Sequence, residues 1–247
     1  MSEFRYYRPN NFPPIVKNII IINVLVFLAQ AVFDRQFQLT EILTMRPIIS
    51  EPLKQALLQI NPPVEIPPFK PYQIITHMFT HAPFPTVYHI LFNMFTLWMF
   101  GRILENVWGA KRFLIFYLAC GIGAAAFHLL IQYFRCEQLL HAILANDQAG
   151  FDKYQGALAG AIGASGAIMG VMAAFAYLFP NTELYIMFIP LPIKAKWAIL
   201  GLVAVDLFGG VGSISGDNVA HFAHLGGAIT GFIIVYIWNK TNRKTLY

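Results

Sequence analysis

Residues 157–179 read ALAGAIGASGAIMGVMAAFAYLF, with no charged side chain. A bilayer core about 30 Å thick is crossed by about 20 apolar residues of helix. The stretch therefore predicts a membrane span from Ala157 to Phe179. One aliphatic hydroxyl, Ser165, stands inside it between Gly163 and Gly166.

The rest of the chain has the same character. Of 247 residues, 57% are hydrophobic and 12% charged, and the mean hydropathy is +0.57. Soluble domains carry about twice that share of charge. These figures exclude a secreted disulfide scaffold, a disordered chain and most cytosolic enzymes, and they predict an all-α polytopic membrane protein. Six spans are expected: Ile15–Phe33, Val87–Val107, Phe113–Phe134, Ala157–Phe179, Trp197–Phe208 with an apolar extension back to Leu184, and Val219–Trp238. They enclose a domain over residues 15–238, between a leader at 1–14 and a tail at 239–247. Ala29-Gln30-Ala31 resembles a signal-peptidase site. The polar, proline-containing leader before it is long for a secretory n-region, so the first span reads as an uncleaved helix. Residues 34–86 form a long, proline-rich yet apolar loop, and a loop of that length is expected to carry function or its own substructure.

Charge orients the bundle. With the N-terminus inside, the inner segments hold eleven of the seventeen basic residues against three acids, a net +8. The outer segments net −2, and Asp206 in the fifth span supplies the last negative charge. Lys and Arg favour the cytoplasmic side. Both termini are thus expected inside, as in a multi-pass protein of a bacterial inner (plasma) membrane. The +5 net charge is scattered, so no nucleic-acid partner is expected. Cys120 and Cys136 suggest neither a disulfide framework nor a thiolate metal site.

Polar residues within spans are costly and tend to be functional. Gly166 and Gly170 form one GxxxG stripe beside Ser165; Gly227 and Gly231 form another, and His224 lies three residues before Gly227. Small residues let membrane helices approach closely. A serine nucleophile needs a base within about 3 Å, so these stripes predict that the two helices meet there. His221 competes with His224 for the role of base, but His224 shares the glycine face. His89 and Asn93, at i and i+4 in the second span, share one face and offer N–H donors to an oxyanion. Asp206, near the end of the fifth span, could orient a histidine; the stronger expectation is that it caps its helix or faces the outer interface, leaving a Ser–His dyad. His77 and His81 lack the glutamate of an HExxH pattern, so no metal is expected. His128 has no partner of matching spacing and reads as a satisfied or packing residue.

Together these residues resemble the rhomboid intramembrane serine proteases. The resemblance rests on Gly163-x-Ser165-Gly166, on Ala223-His224-x-x-Gly227-x-x-x-Gly231 and on His89-x-x-x-Asn93. Thr76-His77-Met78-Phe79-Thr80-His81 and Glu105-x-x-x-Gly109-x-x-Arg112-Phe113 add to it. It implies a six-transmembrane-helix bundle with Ser165 as nucleophile, His224 as general base and His89 and Asn93 in the oxyanion hole. Gly163, Gly166, Gly170, Gly227 and Gly231 would serve close packing. The implied partners are the lipid bilayer and transmembrane protein substrates, cleaved near the outer membrane boundary without a cofactor. Two departures stand out. Tyr72-Gln73 replaces the Trp-Arg pair often found before the Thr-His stretch, and Pro83-Phe84-Pro85 is inserted before His89. The fifth helix and a glycine loop after it, Gly209-Gly210-Val211-Gly212-Ser213, are expected to gate lateral passage. The rival readings are an inactive rhomboid-like protein that binds membrane clients and a small transporter with histidine proton relays.

Overall fold

The computed structural model describes residues 10–185, 191–212 and 221–241. In chain order its helices are α1 (Pro14–Phe37), α2 (Leu39–Leu43), α3 (Glu51–Gln59) and α4 (Gln73–Thr76), the last running into a 3₁₀ turn, His77–Phe79. Next come α5 (Val87–Thr96), a π-helical stretch (Leu97–Gly101) and α6 (Arg102–Trp108), which together form one rod. Then follow α7 (Ala110–Leu144), α8 (Gln148–Tyr154) and α9 (Ser165–Leu178). A two-stranded antiparallel ribbon, β1 (Glu183–Leu184) with β2 (Ile193–Lys194), leads into α10 (Ala195–Gly212). The last helix is α11 (His221–Thr241). Among the described residues, four helices, Pro14–Phe37, Val87–Trp108, Ala110–Leu144 and His221–Thr241, are long and apolar enough to cross a membrane.

Helices α7, α9 and α11 pack against one another at the centre. Glycine makes this possible. A β-carbon on Gly227 would overlap the Gly166 carbonyl oxygen, and one on Gly231 would lie 2.5 Å from the Gly170 carbonyl oxygen. On the α7 side, a β-carbon on Gly226 would lie 3.0 Å from the Gly123 carbonyl oxygen. Around this seam, Leu97, Leu104, Phe113, Phe116, Tyr117 and Val171 are fully buried.

Buried polar side chains fix the periphery. The Glu105 carboxylate accepts the free N–H groups of Ile15 and Val16 at 2.9 and 2.8 Å, capping α1 from another helix. Such first-turn N–H groups have no partner within their own helix. Gln30, 1% exposed, donates to Thr40 Oγ1 and the His81 carbonyl and accepts from the His81 N–H. It ties both ends of the long loop to α1.

Three expected boundaries need correction. The fourth helix begins at Ser165, not Ala157. Residues 159–163 run non-helical, and Ala161 pairs antiparallel with Met45 through bonds of 2.9 and 3.0 Å. Gly163 holds φ +116°, which a helix does not allow. Gln132 Nε2 donates to the carbonyls of Ala157 and Ala159 at 2.9 and 2.8 Å. The strip's backbone is thus satisfied by the loop and a side chain rather than by helix. The fifth helix starts at Ala195; Leu184 pairs with Ile193 in the ribbon instead, Pro192 cannot continue a helix, and residues 186–190 of the expected extension lie outside the described residues. The third helix overshoots Phe134 and reaches Leu144, because Leu139 and Leu140 find a second apolar cluster with Leu53, Ala56 and Leu57 of α3. The long loop therefore has a small core of its own. Gly209–Gly212 is the end of α10, not a loop. Ser213, Val219, most of the leader and most of the tail lie outside the described residues.

Candidate active site

Ser165 is the first residue of α9. Its place follows from Gly163, whose left-handed backbone turns the chain into the helix while the Gly163 N–H donates to the His77 carbonyl at 2.9 Å. As the opening residue, Ser165 has a backbone N–H with no acceptor in its own helix. The positive end of the helix dipole lies there as well.

His224 Nε2 stands 2.8 Å from Ser165 Oγ. The glycine seam delivers this contact, since Gly166 and Gly227 touch backbone to backbone one residue after Ser165 and three after His224. His221, one turn earlier on α11, points its Nδ1 instead to Asp206 Oδ1 at 2.8 Å. His224 Nδ1 reaches the same oxygen at 2.9 Å. Asp206 is 7% exposed, so the expectation that it caps α10 or faces the interface is corrected. A carboxylate in an apolar helix is stable only when partnered, and its partners here are the two histidines. That cost was the signal in the sequence that Asp206 needed a buried partner.

His89 approaches Ser165 at Gly163. The Ala82 N–H donates to His89 Nδ1 at 3.1 Å. In the neutral ring the hydrogen then sits on Nε2. A β-carbon on Gly163 would be 3.1 Å from that Nε2 and 3.7 Å from Ser165 Oγ. The bare α-carbon of Gly163 thus leaves a gap bordered by a hydroxyl and a ring N–H. Asn93 is buried, and its amide donates to the His89 carbonyl at 2.8 Å. This bond joins the Asn93 side chain to the His89 backbone and not to its ring.

The remaining histidines serve the frame. His77 Nδ1 bonds the Gln73 carbonyl at 2.9 Å. His81 packs edge-on to His89 with ring centroids 5.1 Å apart. Burial pushes the His77 imidazole below its ordinary value and His81 down to about 4, the latter with help from neighbouring His89. His128 is half-buried, and its ring nitrogens are buried with no hydrogen bond to another described residue. Gln73 stands in the Trp-Arg position, where the sequence showed only a departure. It accepts from the Arg46 and Lys70 N–H groups and donates to the Ile42 carbonyl, pinning the loop beside the site.

A rhomboid domain model matches residues 68–241. The chain belongs to the rhomboid family. It is similar to "Rhomboid protein 1, mitochondrial" of Saccharomyces cerevisiae, 32% identical over 165 residues, 67% of this chain and 40% of that protein. It also resembles "Presenilin-associated rhomboid-like protein A, mitochondrial" of Danio rerio, 32% identical over 161 residues, 63% of this chain and 36% of that protein. The third is "RHOMBOID-like protein 12, mitochondrial" of Arabidopsis thaliana, 28% identical over 219 residues, 89% of this chain and 56% of that protein. This rhomboid chain therefore spans roughly a third to just over half of the length of these relatives. Its matched segment contains Ser165, His224, His89, Asn93 and Asp206.

Proposed function

We propose that this rhomboid-family protein is an intramembrane serine endopeptidase acting on transmembrane proteins. The observation that carries the reading is the 2.8 Å contact between His224 Nε2 and Ser165 Oγ at the head of a membrane-embedded helix. An α-helix of 14 residues rises about 21 Å, less than a bilayer core of about 30 Å. With its C-terminal end at the basic inner face, α9 stops short of the outer surface. Ser165 then lies within the membrane, below its outer boundary. The four long helices, with α9 and α10, make the six-span bundle. Both termini lie on the basic side, as in the bacterial inner membrane proposed from charge; the relatives' names place those proteins in mitochondria.

In the proposed reaction, Ser165 Oγ attacks the scissile carbonyl carbon while His224 Nε2 takes the hydroxyl proton. The oxyanion forms between the Ser165 N–H and His89 Nε2–H, with Asn93 holding the His89 turn. Each such donor contributes about 10²–10³ in rate. The C–N bond then breaks, and the leaving amine receives the proton from His224. Water enters from the outer side, gives a proton to His224 and attacks the acyl carbon. Collapse of that intermediate returns the proton to Ser165 and frees the new carboxylate. A substrate helix hides its carbonyls in hydrogen bonds, so cleavage is expected where small or helix-breaking residues let it open.

The test is labelling of the purified protein by a serine-reactive fluorophosphonate, followed by cleavage of a model transmembrane substrate in proteoliposomes. Wild type is expected to label and cleave, whereas Ser165→Ala and His224→Ala do neither. Labelling of Ser165→Ala at the wild-type rate overturns the assignment. A folded wild-type protein that neither labels nor cleaves supports a client-binding role instead.

A further inference from the structure

Resting on the proposed Ser165–His224 chemistry, a second question is what holds His224 in the one tautomer that works. A neutral imidazole has one N–H and one lone pair. If the hydrogen sits on Nε2, the ring points a donor at Ser165 and accepts no proton from it. The protein must therefore keep the hydrogen on Nδ1.

Three observations converge on α10. First, Asp206 Oδ1 is 2.9 Å from His224 Nδ1. An ionised carboxylate only accepts hydrogen bonds, so the hydrogen lies on Nδ1 and the lone pair of Nε2 faces Ser165. Second, His221 Nδ1 reaches the same oxygen at 2.8 Å. That second donor holds the same carboxylate oxygen. Third, α10 comes close enough to deliver Asp206 because its last turn is glycine. A β-carbon on Gly209 would lie 2.5 Å from His221 Nε2, and one on Gly210 would lie 3.0 Å from Phe222 Cζ. The glycines that suggested a loop are the contact surface between α10 and α11. Past Lys196, Asp206 is the one ionisable side chain in the sequence of α10.

We infer that Asp206 is the positioning residue of the base, so that the centre works as a Ser165–His224–Asp206 triad braced by His221 rather than as a dyad. Asp206 touches neither the substrate nor the nucleophile. It sets the tautomer of His224 and stabilises the imidazolium that forms when Ser165 gives up its proton. His221 keeps the carboxylate aligned while His224 turns between nucleophile and leaving group.

The experiment is steady-state cleavage of the model transmembrane substrate by the full chain in proteoliposomes, wild type against Asp206→Asn. Loss of the tautomer lock is expected to cut kcat by about 10²–10⁴-fold, with KM changed less than about twofold because substrate contacts are untouched. His221→Gln is expected to cost a smaller factor, below that of Asp206→Asn. Asp206→Ala should regain activity with added formate, a carboxylate small enough to replace the missing side chain; a purely structural role gives no such rescue. ¹⁵N shifts of the wild-type histidines read the resting tautomer without any substitution, and His224 is expected to carry its hydrogen on Nδ1. If wild type cleaves and either Asp206→Asn keeps kcat within about threefold or the resting His224 is protonated on Nε2, the triad is wrong while the Ser–His reading stands. If wild type itself does not cleave, the underlying protease reading has failed instead.

Discussion

Gly227 meets the carbonyl oxygen of Gly166 with no space for a β-carbon between them. This contact lies three residues from His224 and one from Ser165, so it sets how close the proposed base comes to the proposed nucleophile. Gly227→Ala must push α11 away from α9. Overpacking of this kind costs about 1–3 kcal/mol, and a misplacement near 1 Å at a reacting pair costs about 10²-fold in rate. Fluorophosphonate labelling is expected to fall by about that factor, more than the loss of folded protein accounts for. Gly201→Ala on α10 is the contrast, because nothing lies within 4 Å of its added carbon. It should label at the wild-type rate and unfold at a slightly higher temperature, since alanine is the better helix former. Equal labelling by wild type and Gly227→Ala defeats the argument.

Glu105 carries the N-terminus of α1. Its two carboxylate oxygens each accept one backbone N–H, and the side chain is 3% exposed. Hydrogen bonds to charged groups contribute about 1.5–3 kcal/mol each. Glu105→Ala leaves both N–H groups without their acceptor, and a loss of about 3–5 kcal/mol is expected from these bonds together. Glu105→Gln keeps one acceptor oxygen, so about half that loss is expected. Thermal unfolding in detergent reads both values. The fraction that remains folded should still label, since Ser165 is not in contact with this cap. A Glu105→Ala protein as stable as wild type contradicts the capping role.

The four long apolar helices and the serine–histidine meeting were legible because both depend on local pattern. Uncharged runs mark the helices, and GxxxG stripes beside Ser165 and His224 mark the faces that touch. What was not legible depends on distant partners. The run from Ala157 to Ala164 is apolar enough for a helix. It is drawn out of one by Met45, far away in the chain, and by Gln132, and it turns at Gly163. Gly209–Gly212 has loop composition, but contact with His221 and Phe222 makes helix the better packing. The direction of Asp206 depends on the rotation of α10 against α11, which one helix's sequence does not encode. The sequence offered the orienting of a histidine as one reading of Asp206, and the cost of a carboxylate in an apolar run favours it.

The buried loop histidines give the fold an acid limit. His81 has an ordinary value of 6.5 and is pushed down to about 4, chiefly by burial and further by neighbouring His89; burial lowers His77 as well. The unfolded chain therefore takes up protons at a higher pH than the folded one. Stability from His81 is full above about pH 6.5 and is lost as pH falls toward 4, by roughly 3 kcal/mol. His81→Phe keeps a ring beside His89 and removes the titration. Chemical unfolding followed from pH 7 to pH 4 should show a shallower loss for the variant. Parallel curves for the two proteins contradict the assignment.

Gly163 separates chemistry from stability most sharply. Its φ of +116° excludes any residue with a β-carbon from unstrained backbone. An added carbon would stand 3.1 Å from His89 Nε2 and 3.7 Å from Ser165 Oγ, in the gap proposed for the oxyanion. Backbone strain of this type costs about 1–3 kcal/mol, and the protein is expected to survive it as a destabilised but folded chain. The site is not. Gly163→Ala displaces the His89 donor and fills the space where the carbonyl oxygen must sit, so a loss of at least about 10²-fold in labelling is expected. The measurement is the labelling rate at a temperature where circular dichroism shows the variant folded. A folded Gly163→Ala protein that labels within about threefold of wild type would place the oxyanion elsewhere.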